Sequence, residues 1–286
     1  MDGGCRLVSM QLRIKHVTGY RYETGAVASF NEARMTPLTT TDQMVLRSRL
    51  EITPTPWASE YRDYWGSTVT AFEVNEPHTE LTVVATSIVE TSSAETQPER
   101  RSWEELDEAQ DEWCEFLEIS HWVAPSPDLN AELASIRADA ATPTDYAQAV
   151  CAFLHDSIRY VEGATEVTTD AADAWEGKSG VCQDFAHLAL GVLREARIPA
   201  RYVSGYLHPS TDPVVGEEVR GESHAWIEWW DGEWVGFDPT NARPAGEQHV
   251  LVARGRDYED VPPLRGIYST RGDSELFVDV EITRLR

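Results

Sequence analysis

The chain has 286 residues, room for one large domain or two of ordinary size, and its 41% apolar content, with 10 Trp, 10 Tyr and 7 Phe, excludes a disordered composition. Carboxylates number 49 against 24 basic residues, of which only Lys15 and Lys178 are lysines, leaving a net charge of −25. Such a surface repels phosphate groups, which argues against nucleic-acid and anionic-membrane partners, and it suits a protein held in high cytoplasmic salt, the halophilic reading.

The opening MDGGCRLVSM has neither the basic start nor the apolar stretch of a secretory signal, and no run of 18 apolar residues follows, so a cytoplasmic location is expected. Residues 1–10 read as a disordered tail or extension. From residue 11 the pattern is that of strands. QLRIKHVTGYRYE alternates Leu12, Ile14 and His16 on one face, and LRSRLEI, STVTAFEV and ELTVVATSIVE follow between turn residues, giving an antiparallel β domain over residues 11–95. The polar stretch SSAETQPERRS marks a boundary, and residues 96–286 form the second unit.

Helical periodicity then takes over. SWEELDEAQDEWCEFLE opens with Ser102 and Glu105 spaced as a capping box, and TDYAQAVCAFLHDSIRY carries Val150, Cys151, Leu154 and Ile158 on one stripe. Cys114 and Cys151 lie in apolar stripes without basic neighbours and read as small core residues. GKSGVCQDFAHLALGVLREARIPA feeds a turn into a helix beginning at about Cys182, and Pro199 follows its end. The strands ARYVSGYLH, SHAWIEWW, DGEWVGFDPT, HVLVARG and ELFVDVEITRL complete the chain.

Cys182 differs from the other cysteines in its position. The first turn of a helix offers unpaired N–H groups and the positive end of the macrodipole, which favour a thiolate and an oxyanion formed beside it. His224 alternates with Trp226 and Glu228 along one strand, and Asp238 lies on the return strand. A three-residue loop Trp230-Asp231-Gly232, with Trp229 paired to Glu233, places His224 directly opposite Asp238 on one face; a two-residue loop would place them on opposite faces. The order Cys, His, Asp then assigns a nucleophile, a base and a group that orients the base.

GKSGVCQDFAHL, IPARYVSGYL, SHAWIEWWDGEWVGFDPTN and HVLVARGRDYEDVPPLRG together resemble the core of the bacterial transglutaminase-like proteins, which are described as cysteine proteases. The resemblance covers nearly all of residues 103–284, and RIKHVTGYRYETGAVAS is similar to the β domain that precedes that core. It implies an α+β fold, with helices packed on an antiparallel sheet in a papain-like core behind a small antiparallel β domain. It also implies the catalytic triad Cys182, His224 and Asp238. It leaves the substrate open, because relatives with this core include crosslinkers, peptidases and peptide amidases.

Other residues in these blocks have two readings each. Gln183 could donate to an oxyanion, yet it projects about 100 degrees from Cys182 on the helix and serves equally as a supporting or capping group. His187 falls among apolar residues as a hydrogen-bonded core histidine would. Trp175 either walls an acyl pocket or packs, and Tyr206 and Asn241 are substrate contacts or strand-end residues. Arg256, Asp257 and Tyr258 read as braces of the core, and Arg271-Gly272-Asp273 as a plain loop. No spacing points to a metal ligand set or a phosphate loop, and the chemistry calls for no cofactor. The expected activity is thiol-dependent acyl transfer on a peptide or protein substrate, as amidase or peptidase, or as transglutaminase if an amine is the acceptor. The alternative is a catalytically silent peptide-binding module with the same fold. Oligomeric state is not legible.

Overall fold

The computed structural model describes residues 8–93, 100–161 and 169–286. Five strands come first: β1 (Val8–Thr36), β2 (Gln43–Thr53), β3 (Trp57–Arg62), β4 (Thr68–Val74) and β5 (His78–Ser93). Then follow α1 (Trp103–Ala109), α2 (Pro127–Asp139), α3 (Pro143–Ser157), β6 (Arg159–Tyr160), α4 (Ala171–Gly177), β7 (Ser179–Gly180) and α5 (Cys182–Glu195). The last group is β8 (Ala200–Leu207), β9 (Glu218–Trp230), β10 (Trp234–Asp238), β11 (Arg243–Pro244), β12 (His249–Gly255), β13 (Leu264–Thr270) and β14 (Ser274–Arg284). The fold is α+β, with helices packed on antiparallel strands.

Two boundaries differ from the sequence reading. The expected tail at residues 1–10 lies outside the described residues up to residue 7, but Val8, Ser9 and Met10 already pair with Ser93, Ser92 and Thr91, and the Met10 side chain is buried in the core beside Leu12. More consequentially, β13 and β14 pair along β1, completing the sheet that the first strands begin. β14 in turn pairs with the first residues of β9, in the register Val280 to Gly221 and Thr283 to Glu218. The rest of β9 pairs with β8 and β10. A single strand therefore belongs to both halves of the molecule, and His224 sits just past its crossover.

The helices form where capping and burial agree. Ser102 and Glu105 make the expected capping box of α1, and Thr142 with Asp145 makes another for α3. α1 stops at Ala109, and the chain tightens into a 3-10 turn at Cys114–Leu117 that directs Phe116 and Leu117 inward. That change of helical pitch rotates Cys114 to the surface, contrary to the core role expected for it. Cys151 is buried as expected, and burial pushes its thiol far up.

α5 is the centre of the main core. Phe185, Ala186, Leu188, Ala189, Val192 and Leu193 are buried against residues of α3, α4, β8 and β9, and Leu12, Ile14, Val280 and Ile282 reach the same core from β1 and β14. A smaller core of Tyr22, Met35, Phe72, Leu81 and Val83 serves the first strands. In the last turn of α5 the buried Arg194 donates to the carbonyls of Glu118, Ala200 and Arg256, which replace the water its guanidinium has lost. Glu228 of β9 accepts from Arg201 of β8 and Arg254 of β12, so one buried carboxylate fixes three neighbouring strands in register.

Gly191 shows how closely α5 is held. A Cβ there would stand 1.8 Å from the Val123 carbonyl oxygen. In a free helix alanine would be the better residue by about 1 kcal/mol. Here Gly191→Ala is expected to destabilise the fold by about 3 kcal/mol, because backbone must move against backbone. Urea unfolding checks this, and an unchanged midpoint would show that the contact is not close.

Candidate active site

The site is assembled on the first turn of α5. Val181 precedes the helix with extended backbone, and its N–H donates to Asp184 Oδ2 at 2.7 Å, which fixes the entry of the chain. Cys182 is the next residue, half-buried, and lines a cleft of about 650 Å³. Arg220, Gly221, Glu222 and Ser223 of β9 and Val278, Asp279 and Val280 of the adjoining β14 line it as one continuous wall, together with Tyr160. Cys182 therefore shares its cleft with the strand that completes the first sheet.

The hairpin register is not the one expected. Trp230 pairs with Trp234 and Trp229 with Val235, so the loop is Asp231-Gly232-Glu233 with Gly232 at φ +83°, one position later than predicted. The cause is tertiary. Asp231 is buried, accepting from the Arg101 N–H and the Thr144 hydroxyl, while the Trp230 and Trp234 indoles pack edge-on to each other and both contact Trp113. The shift moves the pairing by two residues, and two residues preserve the face. His224 and Asp238 are thus diagonal neighbours rather than direct ones, still on one side of the ribbon.

Their contact is close. His224 Nε2 lies 2.8 Å from Asp238 Oδ2, both residues are buried, and Cys182 acts electrostatically on the same imidazole. Burial opposes a charge on His224, but the hydrogen bond to Asp238 and the influence of the nearby Cys182 and Asp238 outweigh it, and the imidazole is pushed up to about 10. Burial likewise opposes the Asp238 carboxylate, yet donation from His224, His249 and Asn241 holds it well below the usual carboxylate range. Five donors converge on it. Oδ2 takes His224 Nε2, His249 Nε2 and Asn241 Nδ2, and Oδ1 takes the N–H groups of Thr240 and Asn241.

The trio His224, Asp238 and His249 brings three potential ligand atoms within 4.8 Å of one another, a spacing that a metal ion could span. Its donor pattern runs against that. The Gly246 N–H donates to His249 Nδ1 at 3.1 Å, which puts the ring proton on Nε2, the atom a metal would need bare.

The remaining expected residues lie elsewhere. Gln183 is buried on the first turn but is not among the residues lining the cleft. His187 is in the core, its Nε2 accepting from the Tyr258 N–H, and Trp175 packs against Phe153 beneath the Lys178 ammonium. Tyr206 is buried with its hydroxyl 2.9 Å from His16 Nδ1, away from the cleft. Arg256 pairs with Asp260 and Glu118, and Asp257 accepts from Ser120, as braces do. Sequence reasoning missed His249 altogether and saw Asn241 without its role. The signal for Asn241 was available, since an Asn three residues past a turn-forming Asp is placed to fold back on it.

Residues 12–90 match the bacterial transglutaminase-like N-terminal region and residues 131–239 the transglutaminase-like superfamily core. An uncharacterized protein of Mycobacterium leprae is 48% identical over 278 residues, covering 96% of this chain and 99% of its own length. A candidate cysteine protease of Cytophaga hutchinsonii has the same fold, with a TM-score of 0.78 at 22% identity over 98% of this chain and 93% of that one. A protein-glutamine gamma-glutamyltransferase of Pseudomonas aeruginosa is 31% identical over 142 residues, 47% of this chain but 19% of that longer protein. With an N-terminal region and a core both matched in order, and a relative alike from end to end, the chain belongs to the bacterial transglutaminase-like proteins.

Proposed function

We propose that the protein is a thiol-dependent acyl-transfer enzyme acting on a peptide or carboxamide, with Cys182 as nucleophile, His224 as acid and base, and Asp238 orienting the imidazole. The observation that supports this is the buried His224–Asp238 pair, Nε2 to Oδ2 at 2.8 Å, with Cys182 near enough to act on the same imidazole and lining an open cleft. The Cys182 sulfur attacks the substrate carbonyl, and the Cys182 N–H, on the first turn of α5, stabilises the oxyanion. His224 then passes the thiol's proton to the leaving amine, and a thioester remains. Water, deprotonated by His224, releases the acid and restores the thiol; a primary amine in its place gives transamidation.

Hydrolysis is the favoured outcome. Tyr160, Arg220, Glu222 and Ser223 at the rim are exposed, so water reaches the thioester freely. The net charge of −25 favours neutral or basic peptide substrates and disfavours nucleic acid. Incubation with peptides containing glutamine and isopeptide bonds, with and without a primary amine, tests the reading by mass spectrometry. Deamidated or cleaved peptides are expected, with amine adducts the minor product. A peptide set that stays unchanged, or changes equally with Cys182→Ala, would favour the silent binding module.

A further inference from the structure

We infer that His249 is a positioning residue of this site, a second imidazole that holds Asp238 Oδ2 in place from β12 through a proton fixed on its Nε2. The inference deepens the acyl-transfer reading and rests on it. The tautomer is decided by backbone, because Gly246 N–H points at Nδ1 and only Nε2 remains to donate, 3.2 Å from Asp238 Oδ2. The ring plane is decided by packing: the buried Trp226 indole stands edge-on to His249 at 5.2 Å and tilted by 26° to His224 at 6.3 Å, packing beside the two imidazoles, which are themselves 6.2 Å apart. His249 therefore has one orientation and one proton position available.

The chemistry suits the role. A cation in this place would compete with His224 for the carboxylate's charge. Burial keeps His249 neutral against the pull of Asp238, helped by the positive charges of His224 and Arg243, so it anchors Oδ2 while leaving the charge to His224. Besides His224, the other groups acting on the carboxylate are the Thr240 N–H and the Asn241 N–H and side chain beyond β10 and Cys151 from α3, while Cys182 on α5 acts on His224. Among these, His249 is the residue that ties Asp238 to a strand outside its own hairpin.

The test uses the full chain and the rate at which iodoacetamide alkylates Cys182, followed by mass spectrometry of its peptide across pH, so no substrate need be known. In His249→Phe the rate at pH 6 is expected to fall on the order of tenfold, as the imidazolium is held less firmly against the sulfur, and the acid limb of the profile to move to higher pH. His249→Gln, whose amide N–H can reach Oδ2, is expected to restore the rate to within about twofold. Gly246→Pro removes the N–H that sets the tautomer while also fixing φ at that position, and a slower rate at unchanged melting temperature is expected there; with the melting temperature retained, this variant decides the matter if His249→Phe does not fold. Rates equal to wild type in His249→Phe or Gly246→Pro would overturn the inference, as would equal losses in the Phe and Gln variants, which would mark the ring as packing alone. A wild-type Cys182 no more reactive than the exposed Cys114 would instead overturn the acyl-transfer reading, and the inference with it.

Discussion

Cys182→Ala is expected to keep no more than about a thousandth of wild-type turnover, because a deleted nucleophile leaves only binding and oxyanion stabilisation. The substitution removes a half-buried sulfur that faces the cleft, so no closed cavity forms and the melting temperature should stay within about 2 °C. The pairing of lost rate with retained stability is what identifies chemistry. Cys151→Ala gives the contrast: a buried helical cysteine in the main core should cost stability and leave the rate nearly unchanged. Comparable activity in Cys182→Ala, measured on the peptides the wild type converts, would remove the thioester from the mechanism.

Asp238→Asn should affect both rate and fold. The amide can present an N–H where His224 Nε2–H requires an acceptor, and turnover is expected to fall by about a hundredfold to ten-thousandfold. Five donors now meet a neutral group with one acceptor oxygen, so a stability loss of about 3 kcal/mol is expected as well. The pH dependence follows from the shifts. His224 is raised from 6.5 to about 10, so its contribution is fully present below about pH 6.5 and is lost as pH rises toward 10, at up to about 1.4 kcal/mol per pH unit. Asp238 is depressed, so its contribution is present above the usual carboxylate range and is lost in acid as pH falls toward its lowered value. The asparagine variant should lose most of the alkaline slope. Urea midpoints between pH 6 and pH 10 that decline as steeply in the variant as in wild type would show that the carboxylate does not hold the imidazolium.

Much of this site was legible because it is written locally. The start of α5 follows from a Gly-containing turn before an apolar helical stripe, and that alone separates Cys182 from Cys151. The shared face of His224 and Asp238 depends only on the parity of the hairpin, which survived an error of two in its register. The register itself was not legible, since Arg101, Thr144 and Trp113 decide it and all three come from distant segments. The same holds for β13 and β14, whose alternation is local but whose partner is β1. His249 was missed for that reason too. As the first residue of a strand it resembles any half-exposed polar start, and it gains meaning only when β12 lies beside β8 and its side chain meets the hairpin. Cys114 was misjudged because apolar periodicity does not announce where an α-helix tightens into a 3-10 turn.

The placement of β14 between β1 and β9 also orders events during synthesis. A nascent chain that has just emerged as far as Asp238 already carries the thiol, the imidazole and the carboxylate, yet Glu218–Gly221 has no neighbouring strand and the cleft lacks Val278, Asp279 and Val280. Contacts of such long sequence separation form late. The Cys182 sulfur is thereby kept without a finished groove until translation has passed Thr283, so that the order of manufacture itself delays completion of the site.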